Sequence, residues 1–195
     1  MELVLIRHAL PIRVENPEGE PADPPLSKVG LEQSQRLAQW LEPETIDALY
    51  VSPLLRAQQT AEPISELKQL EMRFESGVKE FDHDSETYIP LEELKKLEPE
   101  RWQELIQSYT LRDFEAFREL CVSTLEGIAA NHRGDRVAVV CHGGVINAWA
   151  GHVLGIDNPM FFEPDYTSIH RTLISSAGPR TLVSLNESGH LVAVR

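Results

Sequence analysis

Two uninterrupted apolar runs, Leu3-Val4-Leu5-Ile6 and Val137-Ala138-Val139-Val140-Cys141, stand out along the chain. Runs of this length without polar alternation predict strands covered on both faces, here residues 2–7 and 136–142. Ala48–Val51 reads as a shorter strand and Met72–Ser76 as another. Between them the spacing turns helical. Ser27 is placed to cap a helix running to Leu41, with Leu31, Leu37, Ala38 and Leu41 on one face. Ser52-Pro53 opens a second helix, Leu54 to Lys68, in which Pro63 predicts a kink or break. Phe114, Phe117, Leu120, Cys121, Leu125 and Ile128 mark a strong amphipathic helix over 113–132, and another follows over 144–154. Residues 168–176 and 180–185 alternate around Gly178-Pro179 and predict a hairpin, with a last short strand at 190–194.

Two segments break the pattern. Residues 9–25 hold Pro11, Pro17, Pro21, Pro24 and Pro25 and predict a loop. Residues 81–112 are charged, interrupted by Pro90 and Pro99, and carry only short helical pieces, Leu91–Leu97 and Glu100–Tyr109. They read as an insertion or lid. Strands alternating with helices predict an α/β fold: one domain over 1–195, a mostly parallel central sheet with helices on both faces, and a small helical lid.

Composition narrows the function classes. The chain has 195 residues and a formal net charge of −13. An acidic surface argues against nucleic acid or an anionic membrane as partner, though a local cluster of cations can still hold a small anion. Cys121 and Cys141 both read as small core residues. No Cys/His spacing suggests zinc, so no metal and no cofactor are expected. The chain starts directly on a strand and holds no apolar run of transmembrane length, which makes a reducing cytoplasm the expected setting.

The chemistry collects at the strand tips. The first apolar run ends in Arg7-His8, and the second in His142-Gly143-Gly144. A third junction, Ser52-Pro53-Leu54-Leu55-Arg56-Ala57-Gln58-Gln59-Thr60-Ala61, follows the strand at 48–51. In an open α/β sheet, ligands bind beyond the carboxyl ends of the strands, so neighbouring strands would bring both imidazoles and Arg7 into one crevice. A lone Arg-His pair after a strand is more often a surface turn; the three junctions together are the stronger signal.

Those three segments, with Asp23-Pro24-Pro25-Leu26-Ser27-Lys28-Val29-Gly30 and Gln33 at the first helix entry, resemble the histidine phosphatase superfamily, the phosphoglycerate mutase-like fold. The resemblance runs from Leu3 to His142 and is thin across 81–135. It implies that His8 attacks phosphorus to give a phosphohistidine. Arg7, Arg56, His142 and Gly143 would hold the phosphoryl oxygens. Glu80, in Val78-Lys79-Glu80-Phe81-Asp82, would be the general acid, with Asp82 as runner-up. The implied activity is a metal-independent phosphomonoesterase acting on a small phosphorylated metabolite. The alternatives are a phosphoglycerate mutase-type phosphotransferase and a non-catalytic phosphate binder. A homodimer stays open.

The chain departs from the family pattern at two positions. Ala9 stands where glycine is usual, and matters only if its φ is positive. Val14 stands where an asparagine donor is usual, with Arg13 or Asn16 as candidate substitutes and Ser27 and Lys28 as further pocket neighbours. The remaining histidines (His83, His132, His152, His170, His190) read as structural or exposed, with His170 and Asn186 the ones able to approach the site. Acidic residues in the covering loops (Glu15, Glu18, Asp82, Asp84, Glu86) favour a monophosphate over a polyanionic substrate.

Overall fold

The computed structural model describes residues 1–15, 19–108, 113–176 and 178–192. Its centre is a six-stranded sheet built from β1 (Glu2–Arg7), β3 (Ala48–Val51), β4 (Met72–Phe74), β6 (Arg136–Cys141), β7 (Ile169–Ile174) and β8 (Arg180–Glu187). The order across the sheet is β4-β3-β6-β1-β7-β8. The first four run parallel; β7 and β8 close one edge antiparallel. A separate two-residue ladder joins β2 (Val14–Glu15) to β5 (Thr87–Tyr88).

The two apolar runs lie side by side, Leu3 opposite Val137 through Arg7 opposite Cys141. Both are buried because both sheet faces are covered. Leu3, Leu5, Val137, Val139 and Cys141 face one core, with Cys121, Leu125 and Ile128 of α5 (Asp113–Asn131) and Val145, Ile146 and Trp149 of α6 (Gly143–Leu154). Val4, Ile6, Ala138 and Val140 face the other, with Leu37 of α1 (Lys28–Trp40) and Ala57, Ala61 and Ile64 of α2 (Leu55–Lys68). Period-two alternation thus exists within the runs, but both sets are apolar because each meets a helical layer. Arg136 reaches Glu2 at 2.6 Å at the amino ends of β6 and β1, and Arg171 of β7 reaches Glu2 at 3.3 Å, Glu44 at 2.7 Å and Glu187 of β8 at 3.0 Å, tying four strands together.

The start of α1 follows its expected cap. Ser27 Oγ accepts from Gly30 N–H at 3.0 Å and donates to Leu10 C=O at 3.0 Å. Three expectations are corrected. Pro63 does not break α2, which continues from Leu55 to Lys68. Proline removes one backbone donor, and Ala57, Ala61 and Ile64 pack the helix against the sheet on both sides of it. The strand expected to reach Ser76 ends at Phe74, and a 3₁₀ turn follows over Ser76–Val78. The last strand, expected over 190–194, is instead a 3₁₀ turn at Gly189–Leu191. His190 holds that turn down, its Nε2 2.9 Å from Thr167 Oγ1 and its ring 6.1 Å from Trp40. Residues 193–195 lie outside the described residues.

The described part of the segment expected as a lid, residues 81–108, contains β5, α3 (Leu91–Leu97) and α4 (Pro99–Ser108); residues 109–112 lie outside the described residues. Arg13 pins the loop after β1 to it, with Glu93 at 2.9 Å and Glu98 at 3.0 Å. Among the described residues, no helix is long and apolar enough to cross a membrane.

Candidate functional site

Parallel pairing of β1 with β6 carries both histidines to one level. His8 N–H donates to Cys141 C=O at 2.9 Å, and on the far side of β6 Ser52 N–H donates to Val140 C=O at 2.9 Å. The His8 and His142 rings stand 5.1 Å apart between centroids. Arg7 and Arg56 flank them, 5% and 1% exposed. Arg56 comes from the first turn of α2 and Gly143 opens α6, where a Cβ would sit 3.9 Å from Arg7 Nε. Every residue expected in the phosphate pocket is therefore in one crevice at the carboxyl ends of β1, β3 and β6.

The tautomer of His8 follows from its partner. Nδ1 lies 2.8 Å from Ala9 C=O, and a carbonyl can only accept. Nδ1 therefore carries the proton and Nε2 keeps a lone pair. Burial first, then the Arg56 and Arg7 charges, hold the imidazole well below the usual histidine range, with the Ala9 carbonyl acting the other way. Ala9 itself is buried, is not among the positive-φ residues, and donates its N–H to Thr60 Oγ1 at 2.9 Å. The methyl group that departs from the family pattern meets no conformational objection.

His142 is fixed by Ser52, whose Oγ is 2.7 Å from Nε2. Burial, followed by the Arg56 charge, keeps this ring neutral too. His142 Nδ1 and Arg56 Nε are buried without a hydrogen-bond partner among the described residues. Arg56 Nη1 stands 3.7 Å from Asp23 Oδ1, beyond hydrogen-bond reach. Buried polar atoms left this way cost about 1–3 kcal/mol each, more when charged, unless a ligand or water meets them. Two buried guanidinium groups converging on neutral imidazoles suit a tetrahedral oxyanion, with the amino end of α6 adding its dipole.

Glu80 reaches the same helix end. Gly144 N–H donates to Glu80 Oε2 at 3.2 Å and Phe81 N–H to Oε1 at 3.0 Å. Burial, then the Asp82 charge, raises the Glu80 carboxyl above the usual range against those two bonds and Arg56. Asp82 is raised too, chiefly by burial. The geometric tie to α6 belongs to Glu80.

Two tyrosines complete the walls, and sequence reading missed both. Tyr166 lies with its ring 3.9 Å from Arg7 Cζ, and Tyr88 with its ring 4.8 Å from Arg56 Cζ. Their centroids are 5.7 and 6.4 Å from that of His8. Tyr88 sits in the stretch where the resemblance is thinnest; its only sequence signal was aromatic character in an otherwise polar loop. Ser52 and Thr60, though inside the quoted motif, gave no sign of their partners.

Other expectations fall away from the site. Arg13 is taken up by Glu15, Glu93 and Glu98, so it does not replace the donor missing at Val14. Val14 pairs with Tyr88 in the small ladder, and Asn16 lies outside the described residues. Ser27 is spent on its helix cap and Lys28 is exposed. His170 is buried behind Arg7, with Nε2 2.9 Å from Ser168 Oγ and Nδ1 accepting from Asn186 N–H at 3.2 Å. Among the described residues, no group of three or more His, Cys, Asp or Glu side chains is placed to hold a metal ion.

Known proteins resemble the chain along nearly its whole length. The model of the histidine phosphatase superfamily (branch 1) covers residues 3–188. Phosphoserine phosphatase 1 of Hydrogenobacter thermophilus is 30% identical over 201 residues, spanning 98% of this chain and 94% of that one. Among solved structures, the α-ribazole phosphatase of Shigella flexneri superposes with a TM-score of 0.75 at 22% identity, covering 96% of each chain. A mutant phosphoserine phosphatase of Entamoeba histolytica, in complex with phosphoserine, gives 0.74 at 21% identity, covering 98% and 99%. At that identity, the structural likeness speaks for the fold.

Proposed function

The chain belongs to the histidine phosphatase superfamily (branch 1) and is a phosphatase, and we propose that it hydrolyses the monoester of a small phosphorylated metabolite without a metal, through a phosphohistidine on His8. The observation that carries this is the His8 ring: its Nδ1 proton is committed to Ala9 C=O, leaving the Nε2 lone pair in a crevice with two buried guanidinium groups.

In the proposed cycle, Arg7, Arg56, His142 and the backbone at Gly143 hold the phosphoryl oxygens. Phosphoryl transfer needs mainly positioning and charge stabilisation, which this set supplies. His8 Nε2 forms a bond to phosphorus as the ester P–O bond breaks. The departing alkoxide takes its proton from Glu80, whose raised carboxyl keeps a proton to higher pH than a solvated glutamate. Water then attacks the phosphohistidine. Its proton goes to the Glu80 carboxylate, the P–N bond breaks, and inorganic phosphate leaves.

The test is turnover of p-nitrophenyl phosphate, with and without chelator. Undiminished release of phosphate with chelator, lost in His8→Ala, together with an acid-labile, alkali-stable phosphoprotein trapped in the wild type, is the expected result. Chelator sensitivity, or full activity in His8→Ala, overturns it. Return of the phosphoryl group to an alcohol in preference to water would make the protein a mutase.

A further inference from the structure

Beside the phosphate crevice lies a groove of about 610 Å³. Leu10, Pro11 and Ile12, just past the nucleophile, form one wall, with Val29, Pro90 and Leu191 around them. Tyr166 also lines it. That ring stacks on the Arg7 guanidinium, so it is a surface shared by the groove and the phosphate crevice.

The groove's charges decide what can enter it. Its one cation, Arg13, is ion-paired to Glu15, Glu93 and Glu98. Glu93 and Asp165 also line the groove, so its own charge is net negative. Gln33 is engaged at Leu10 N–H, 2.9 Å away. A carboxylate or second phosphate placed here would meet like charge and find no unpaired guanidinium or ammonium among the lining residues. An apolar body would lose water against aliphatic side chains and the Tyr166 ring. A volume of this size takes a ring system or a medium alkyl chain.

We propose that this groove receives the alcohol half of the substrate, and that this alcohol is a neutral, largely apolar group without a second anion. The proposal rests on the phosphatase reading above and specifies its substrate class.

Primary alkyl phosphates have similar leaving groups and isolate the groove from the chemistry. kcat/KM for 2-phenylethyl phosphate is expected to exceed that for ethyl phosphate, phosphoserine and 3-phosphoglycerate by about tenfold or more. Val29 is 44% exposed on α1, so a polar replacement there can fold. Val29→Asp should cut the ratio of 2-phenylethyl to ethyl phosphate kcat/KM by roughly fivefold, through KM. Val29→Lys should raise the relative use of 3-phosphoglycerate. Turnover of ethyl phosphate with no preference for the bulky neutral ester, a preference for either carboxylate-bearing ester, or a ratio indifferent to Val29 overturns the proposal and leaves the phosphatase reading standing. No turnover of any alkyl or aryl phosphate overturns both.

Discussion

His8 and Glu80 divide the proposed chemistry between nucleophile and acid, and their surroundings push both side chains towards their neutral forms. For His8, neutrality preserves a nucleophile; for Glu80, it preserves an acid. This yields a prediction about leaving groups. Glu80→Gln is expected to lower kcat about 100-fold on alkyl phosphates and less than tenfold on p-nitrophenyl phosphate, whose phenolate leaves without a proton. Equal losses on both would remove Glu80 from the acid role. The same variant should flatten the alkaline fall of kcat/KM on alkyl esters, since deprotonation of Glu80 with rising pH is what disarms the wild type. Tyr88 makes a different kind of contribution. Tyr88→Phe keeps the ring over Arg56 and should change KM by less than about threefold, whereas Tyr88→Ala removes it and should raise KM about tenfold, the scale of one buried cation–π contact.

Elements meet closely at several glycines, and two of them, Gly144 and Gly30, each support a prediction. At Gly144, in the first turn of α6, a Cβ would stand 2.2 Å from Glu80 Oε1. Gly144→Ala should displace that carboxyl and cost about 100-fold on alkyl esters, with little change in thermal stability because a side chain can yield. At Gly30, in α1, a Cβ would stand 2.1 Å from the Leu10 carbonyl oxygen, which is backbone. Gly30→Ala should cost about 2 kcal/mol, or roughly 4–8 °C in Tm, by forcing α1 from the loop that follows the nucleophile. Calorimetry and kinetics on the two variants separate these outcomes. Most elements were legible because strand burial and helix caps are local: Ser27 announced α1, and the apolar runs announced β1 and β6. Pro63 misled because a helix break is a local inference, while the packing that holds α2 together is not. The turn at Gly189–Leu191 likewise depends on Trp40 and Thr167, distant in sequence.

At the scale of the whole molecule, burying neutral histidines links stability to pH. Burial and the Arg7 charge push His170 down to about 3, and His8 and His142 also lie well below the usual range. The unfolded chain protonates these rings near 6.5, before the folded protein does. The histidine contribution to stability is therefore whole above about pH 6.5 and falls as pH drops below it, by up to about 1.4 kcal/mol per pH unit for His170 alone, while the raised Glu80 and Asp82 carboxyls act the other way. Tm should decline between pH 7 and 5, and His170→Gln should make the decline shallower; an unchanged slope would contradict the linkage. The sequence by itself determined the α/β class and the two central strands, and it marked Arg7, His8, Arg56 and His142 as candidates at three strand-to-loop junctions, with Glu80 pointed to by the family resemblance, because each stands in a short run of residues. Tertiary structure alone decided the tautomer of His8, the Ser52 and Thr60 supports, the Tyr88–Tyr166 wall, and the neutralisation of Arg13. Those depend on atoms brought within hydrogen-bond or ring-stacking distance by strand register and loop packing, and no local pattern of residue types encodes such distances.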